Sequence, residues 1–191
     1  MKEIITISGN LGSGKSTISR ILQEEFNYQI LAVGDLVRDI ALKKGMSINE
    51  FNEYIKDKPE YDKIIDSQIE EIGTNNDKLI FVSRTAWYFV PQSFKIYLYV
   101  NEDEGAKRIL KDNIRLNEKY ENENEAIKKV HKRFNDSKNR YIKNYGIDIT
   151  LSNNYDLYID TTNKTVDEVF NIIKTEYISY LNQKLKRKVI K

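Results

Sequence analysis

Apolar positions along the chain keep two alternating rhythms. Short runs rich in β-branched residues, at Lys2–Ser8, Tyr28–Ala32, Leu79–Val82, Ile96–Val100 and Leu157–Ile159, predict five strands. Between them the spacing becomes helical: Lys15–Phe26, Gly34–Lys44, and Glu60–Ile72, whose Tyr61, Ile64, Ile65, Ile69 and Ile72 share one face. Gly45 is placed to end the second helix, and Ser47-Ile48-Asn49-Glu50 has the form of a capping box that opens another. Asn101–Glu104 starts a further helix, and Thr165-Val166-Asp167-Glu168 caps a C-terminal one. Strand and helix in alternation predict an α/β fold. The unbroken apolar runs Leu79–Val82 and Ile96–Val100 suit interior strands of a parallel sheet.

The stretch Asn117–Glu125 departs from this pattern. It is polar, rich in Asn and Glu, and flanked by helices that carry most of the central basic residues. Two readings stay open for it: a solvated loop on a helical hairpin, or the tip of a mobile lid. With no internal repeat and no Pro/Gly/Ser linker, the 191 residues read as one domain.

Composition narrows the chemistry. With 31 basic and 29 acidic residues the formal net charge is +2, which argues against a general nucleic-acid binder. There is no cysteine, so disulfides, thiolate metal sites and cysteine nucleophiles are excluded. The single histidine, His131, excludes multi-histidine metal sites and carries no assigned role. The N-terminus is too short and too quickly polar for a signal peptide, and no apolar run approaches the ~18–20 residues that span a bilayer. The expectation is a soluble cytoplasmic protein.

One motif stands out. Gly9-Asn10-Leu11-Gly12-Ser13-Gly14-Lys15-Ser16 fits G-x-x-x-x-G-K-[ST] in full, with a strand running in and a helix running out. Glycines let backbone N–H groups turn toward phosphate oxygens, and the helix N-terminus adds a favourable dipole. Lys15 is placed to reach the β- and γ-phosphates of ATP, the Ser16 hydroxyl to ligate Mg²⁺, and Thr17 to hold the α-phosphate. There is no N-K-x-D-like base-reading element of a small GTPase. The third strand runs into Ser83-Arg84 rather than ending in an aspartate, which disfavours a mechanical ATPase. An arginine there suits a protein that binds a second phosphorylated molecule.

Arg38, Arg84, Arg133 and Arg140 all fall where strands end or late helices begin. Each alone reads equally well as a solvated surface charge. Beside a phosphate loop they form the cation set that phosphoryl transfer between two anions requires, and the guanidinium fork binds phosphate bidentately. Arg133 and Arg140 lie seven residues apart, two helical turns, and so share a helix face. Lys132, Lys138 and Lys143 read as solvated charges.

Several segments resemble the cytidylate kinases, specifically the short archaeal-type branch of that nucleoside monophosphate kinase family. Val33-Gly34-Asp35-Leu36-Val37-Arg38-Asp39-Ile40-Ala41 is similar to the family's G-[DE]-x-x-R-x-x-A element, and Gly45-Met46-Ser47-Ile48-Asn49-Glu50-Phe51 to G-M-S-L-E-E-F. Asp66 falls where the family has an I-D segment. Arg133 to Arg140-Tyr141, then Tyr145-Gly146-Ile147-Asp148, resembles R-E…R-Y…Y-G-I-D, and Tyr155–Thr161 resembles Y-D-L-V-I-D-T. Around the third strand the match is partial: Val82 and Ser83 replace an acidic residue and a glycine. Thr85 stands where the short members carry Leu and the longer bacterial ones Asp. Phe134 replaces a Glu, and Ser137 stands where the bacterial members have Asp.

The resemblance implies a P-loop nucleoside monophosphate kinase fold, a parallel five-stranded sheet flanked by helices. It also implies an acceptor-binding lobe near 34–73, a helical lid near 105–145, and transfer of the γ-phosphate of ATP to CMP or dCMP with Mg²⁺. Lys15, Arg84, Arg133 and Arg140 then act on the transferring phosphates. Asp35, Arg38, Asp66 and Arg84 serve the acceptor, the two aspartates by orienting the lobe or the base. Three alternatives remain: a P-loop kinase of another small acceptor, a non-catalytic ATP-sensing module, and an RNA-linked role for the basic tail Lys184–Lys188, which otherwise reads as the solvated end of a helix.

Overall fold

The computed structural model describes residues 2–111 and 123–189. Five strands, β1 (Ile4–Gly9), β2 (Gln29–Ala32), β3 (Leu79–Val82), β4 (Phe94–Tyr99) and β5 (Leu157–Asp160), form one sheet in the order β2-β3-β1-β4-β5. Every pairing is parallel, with Ile5 beside Ile80 and Phe94, and Tyr97 beside Tyr158. Parallel neighbours need crossovers, and helices supply them: α1 (Lys15–Phe26), α2 (Val33–Lys43), α3 (Ile48–Tyr54), α4 (Pro59–Asn75), α5 (Ala86–Phe89), α6 (Glu102–Lys111), α7 (Glu123–Tyr145) and α8 (Val166–Val189).

The period-2 alternation of the strands sorts their side chains to two faces. Ile5, Ile7, Ile80, Ile96, Leu98 and Ile159 meet Ile18 and Leu22 of α1 and Val169, Ile173 and Tyr177 of α8. On the other face Ile4, Leu79 and Phe81 pack with Val33, Ile65, Ile69, Ala86 and Val90. A sheet covered on both faces explains the unbroken apolar runs seen in the sequence. Ser47 caps α3 with the anticipated capping box: its Oγ accepts from Glu50 N while Glu50 Oε2 accepts from Ser47 N.

The α/β expectation and all five strands are present, with ends moved by one or two residues. Tyr28 precedes β2 instead of opening it; its ring is buried in the core, and its hydroxyl donates to Glu3 Oε2 at 2.6 Å. Of the polar stretch Asn117–Glu125, residues 117–122 lie outside the described residues, and Glu123, Asn124 and Glu125 form the first turn of α7 rather than a loop. Among the described residues no helix is long and apolar enough to cross a membrane.

Candidate active site

The phosphate loop hangs between the end of β1 and α1, and three contacts fix it. Asn10 is buried and clamps the loop to the end of β4: its Nδ2 donates to Val100 O at 2.6 Å, and its Oδ1 accepts from Val100 N at 2.9 Å. Leu11 packs on Ile109 of α6. Gly12, at φ 78°, sits so close to α6 that a Cβ there would lie 2.2 Å from Gly105 O. Only glycine supplies both that backbone and that proximity. The first helical bond of α1 runs from Ile18 N to Gly14 O at 3.0 Å, so the amides of the preceding turn are the groups a helix N-terminus presents to an anion. Lys15 curls over this turn and donates from Nζ to Gly9 O at 3.0 Å and Asn10 O at 2.6 Å. Loop, dipole and ammonium together fit a polyphosphate.

Gly12 through Thr17 form one wall of a cleft of about 1420 Å³. Asp35 and Arg38 of α2, with Ser47 and Asn49 at the start of α3, form the facing wall. Arg38 and Asp35 are ion-paired one helical turn apart and half exposed to the cleft. Arg108, Thr161 and Lys164 close a third side. Sequence reasoning missed Arg108, because an Arg four residues after Glu104 reads as an ordinary surface pair. That pair exists at 2.9 Å, yet the same guanidinium also donates from Nη2 to Thr161 O at 3.0 Å and Thr162 O at 2.9 Å. Its position after β4, beside the phosphate loop, was the available signal.

Arg84, Arg133 and Arg140 do not line this cleft but gather where β3 ends and α7 packs. Ser83 N donates to Ile7 O at 3.2 Å and Ser8 Oγ donates to Ser83 O at 2.7 Å, so the turn carrying Arg84 is tied to the end of β1 where the phosphate loop begins. Ser83 Oγ accepts from Thr85 N and Ala86 N, which starts α5 directly after Arg84. From α7, Ser137 Oγ accepts from Arg84 Nη1 at 3.0 Å. Burial, then the like charges of Arg133 and Arg140, push Arg84 down to about 10, so it stays charged at neutral pH. Arg140 is buried, with Nε 2.8 Å from Asp62 Oδ2 of α4. Asp62, a residue the sequence did not single out, also accepts from Asn144 Nδ2 at 3.1 Å, and its burial raises it against the pull of Arg140.

Asp66, one turn further along α4, does not line the cleft. It is 3% exposed, and both its oxygens are occupied: Thr85 Oγ1 donates to Oδ1 and Tyr145 OH to Oδ2, each at 2.8 Å. Burial raises it to about 6, with the charge of Asp62 adding to the effect. Phe134 packs with Trp87, Tyr141 and Ile149. Lys132 and Lys143 are solvent-exposed charges as read, beside the exposed carboxylates of Glu53 and Asp57, while Lys138 is part-buried and pairs with Asp148 at 3.1 Å. His131 pairs with Glu102 at 2.7 Å. The structure thus collects Arg84, Arg133 and Arg140 in one cluster, puts Asp35 and Arg38 across the cleft from Lys15, Ser16 and Thr17, and withdraws Asp66 into a buried network.

Comparison with known proteins agrees with this architecture. The profile of the cytidylate kinase-like family matches residues 4–163. A cytidylate kinase from Methanosphaera stadtmanae is 30% identical over 172 residues, which cover 90% of this chain and 95% of that protein. An S-adenosylmethionine-dependent nucleotide dehydratase from Lacinutrix mariniflava is 35% identical over 178 residues. That alignment covers 93% of this chain and 36% of the dehydratase, so the chain spans little more than a third of that relative. Among solved structures, an uncharacterized protein from Eubacterium ventriosum superposes with TM-score 0.68 at 17% identity, covering 93% of this chain and 99% of the other. A gluconokinase from Sinorhizobium meliloti gives TM-score 0.60 at 12% identity, covering 98% and 97%, and at such identities the likeness speaks for the fold alone. Phosphate loop, sheet order and family profile agree, and the chain belongs to the cytidylate kinase-like family of P-loop kinases.

Proposed function

We propose that the protein transfers the γ-phosphoryl group of ATP to a nucleoside monophosphate, with CMP or dCMP as the acceptor. The observation that carries this reading is that the turn bearing Arg84 is tied to the end of β1, where the phosphate loop with Lys15 begins, and that Arg84 has a neutral hydroxyl, not a carboxylate, as its hydrogen-bond partner. A half-buried guanidinium beside two others has strong electrostatic reason to bind an anion. The acceptor lobe comprises about residues 34–73, that is α2 to α4. The lid spans about 105–145, of which residues 105–111 of α6 and the whole of α7 are described.

In this reading an oxygen of the acceptor phosphate attacks the γ-phosphorus as a new O–P bond forms. The bond from that phosphorus to the bridging oxygen breaks, and ADP leaves with the electron pair. Residues Gly9–Thr17 cradle the ATP phosphates and Lys15 meets the charge that develops on the transferred group. Arg38 and Arg84 hold the acceptor phosphate, while Arg133 and Arg140 approach the transferred group from α7. Asp35 orients Arg38. Ser16, which supplies the hydroxyl of the loop's G-K-S ending and is part of the cleft lining, would hold Mg²⁺ on the nucleotide. That ion would supply positive charge to offset that of the phosphates.

A second acceptor, another phosphorylated nucleotide, is favoured by the 35% identity to part of an enzyme named for dehydrating a nucleotide. An acceptor panel with Mg-ATP separates the two: turnover highest with CMP or dCMP supports the first reading, and turnover highest with a different nucleotide supports the second. ATP binding without turnover of any acceptor would leave an ATP-sensing module.

A further inference from the structure

The Ser137 hydroxyl donates one hydrogen bond and accepts another. It lies on α7 between Arg133 and Arg140 and is 1% exposed. Its Oγ donates to Arg133 O at 2.8 Å. A hydroxyl has one proton, so the 3.0 Å contact with Arg84 Nη1 is a bond that Arg84 donates and Ser137 accepts. Among the described residues this is the only hydrogen bond of the Arg84 guanidinium. Arg140 is held differently, through its Nε by the Asp62 carboxylate.

The contrast matters for charge. A carboxylate would orient Arg84 and cancel it together; a serine oxygen orients it and leaves the positive charge whole. We infer that Ser137 is a positioning residue that aims Arg84 from α7 and keeps its charge available to the acceptor phosphate, resting on the kinase reading above. Ser137 therefore also couples the placement of α7 to that of the acceptor: when α7 shifts, the group that aims Arg84 shifts with it. An aspartate at this position would instead trade phosphate affinity for an internal ion pair.

The test uses the full chain and the variants Ser137→Ala, Ser137→Thr and Ser137→Asp. The first measurement is ¹⁵N NMR of arginine side chains, with the Arg84 signal assigned by Arg84→Lys. Hydrogen-bonded Nη groups rotate slowly, so the wild type and Ser137→Thr should show resolved Nη signals that merge in Ser137→Ala. The second measurement is steady-state kinetics with nucleoside monophosphate and ATP each varied. Loss of one hydrogen bond to a charged donor should raise the acceptor KM about tenfold in Ser137→Ala and leave the ATP KM unchanged. Ser137→Thr should restore most of it. Ser137→Asp should bind acceptor at least as weakly as Ser137→Ala although it keeps an acceptor oxygen. Merged Arg84 signals in the wild type, or acceptor KM values unchanged in both Ser137→Ala and Ser137→Asp while Arg84→Ala is impaired, would overturn the inference and leave the kinase reading standing. Absence of turnover by the wild type with every monophosphate would instead overturn the kinase reading. The NMR result then decides the aiming of Arg84. Titration with inorganic phosphate, tighter for the wild type than for Ser137→Asp, decides the charge, and equal affinities would count against it.

Discussion

Arg140 Nε and Asp62 Oδ2 meet at 2.8 Å between α7 and α4, with 7% and 4% of their side chains exposed. A pair this dry is worth less than its charges suggest, because both were stripped of water to form it, but breaking it leaves one charge stranded. Asp62→Ala should therefore destabilise the fold by about 3–5 kcal/mol, since Arg140 cannot shed its proton. Arg140→Ala should cost less, and less still at acid pH, because Asp62 is already raised by burial and can neutralise itself by taking up a proton. Urea denaturation of the two single variants and the double variant measures this as a cycle. Losses that simply add would show that the pair is not coupled.

Gly105 on α6 and the phosphate loop touch backbone to backbone. A Cβ on Gly105 would lie 2.7 Å from Leu11 O and 3.0 Å from Val100 Cγ1. Neither partner is the free end of a long side chain, so Gly105→Ala must move the loop or the helix. A cost of about 1–3 kcal/mol is expected, with weaker ATP binding as the loop shifts. Gly12→Ala should be worse, combining φ 78° with a Cβ 2.2 Å from Gly105 O. Gly45→Ala is the control, because its φ of 69° is strained but its surroundings are open, and only about 1–2 kcal/mol is at stake. Thermal melts and binding of a fluorescent ATP analogue would settle the order, and a Gly105→Ala protein as stable and as ATP-competent as the wild type would refute the contact.

Asp66 makes stability pH-dependent with a sign opposite to that of most carboxylates. Its folded value of about 6 lies above the unfolded value of about 4, so the folded state holds the proton more tightly. Its contribution is fully present below about pH 4 and is lost as pH rises through about 6, a swing of roughly 3 kcal/mol. Asp62 is raised as well and acts in the same direction. Asp66→Asn cannot ionise, so its stability relative to the wild type should improve as pH rises from 4.5 through about 6 and then level off by pH 7.5. Denaturant midpoints at both pH values provide the check; a constant difference between the two proteins would mean that Asp66 does not titrate in this window.

The strands were legible in the sequence because a doubly covered parallel sheet demands unbroken apolar runs, and the phosphate loop was legible because few residue types satisfy its backbone. The interior of the arginine cluster was not. The inward face of α7 carries Phe134, Ser137, Arg140 and Tyr141, a mixture of ring and charge that hydrophobic periodicity does not register. Asp62 was hidden for a related reason: it precedes Ile64 and Ile65 on a helix that looked one-sided, and only the arrival of Arg140 from α7 makes its burial intelligible. Asp66 was found by resemblance, but its buried bonds to Thr85 and Tyr145 involve residues far apart in the chain. The four-residue α5 was too short to show a period at all.

The two walls of the cleft should separate kinetically. Lys15 reaches across the phosphate loop to Gly9 O and Asn10 O, whereas Arg38 stands on α2 with Asp35 as its partner. Lys15 belongs with the group being transferred, where charge changes most between ground and transition states. Lys15→Ala should lower kcat by about 10²-fold or more and leave the melting temperature nearly unchanged, since the side chain is only part-buried. Arg38 is placed to meet an acceptor phosphate whose charge changes less, so Arg38→Ala should raise the acceptor KM and spare the ATP KM. Arg38→Lys should recover only part of the loss, because an ammonium lacks the planar fork. Asp35→Ala should resemble a mild Arg38→Ala if the ion pair serves to aim the guanidinium. Initial rates with ATP and acceptor varied in turn test all four variants. If Arg38→Ala and Lys15→Ala raise both KM values alike, the two walls do not bind separate substrates, and the proposal of one anion on each wall fails.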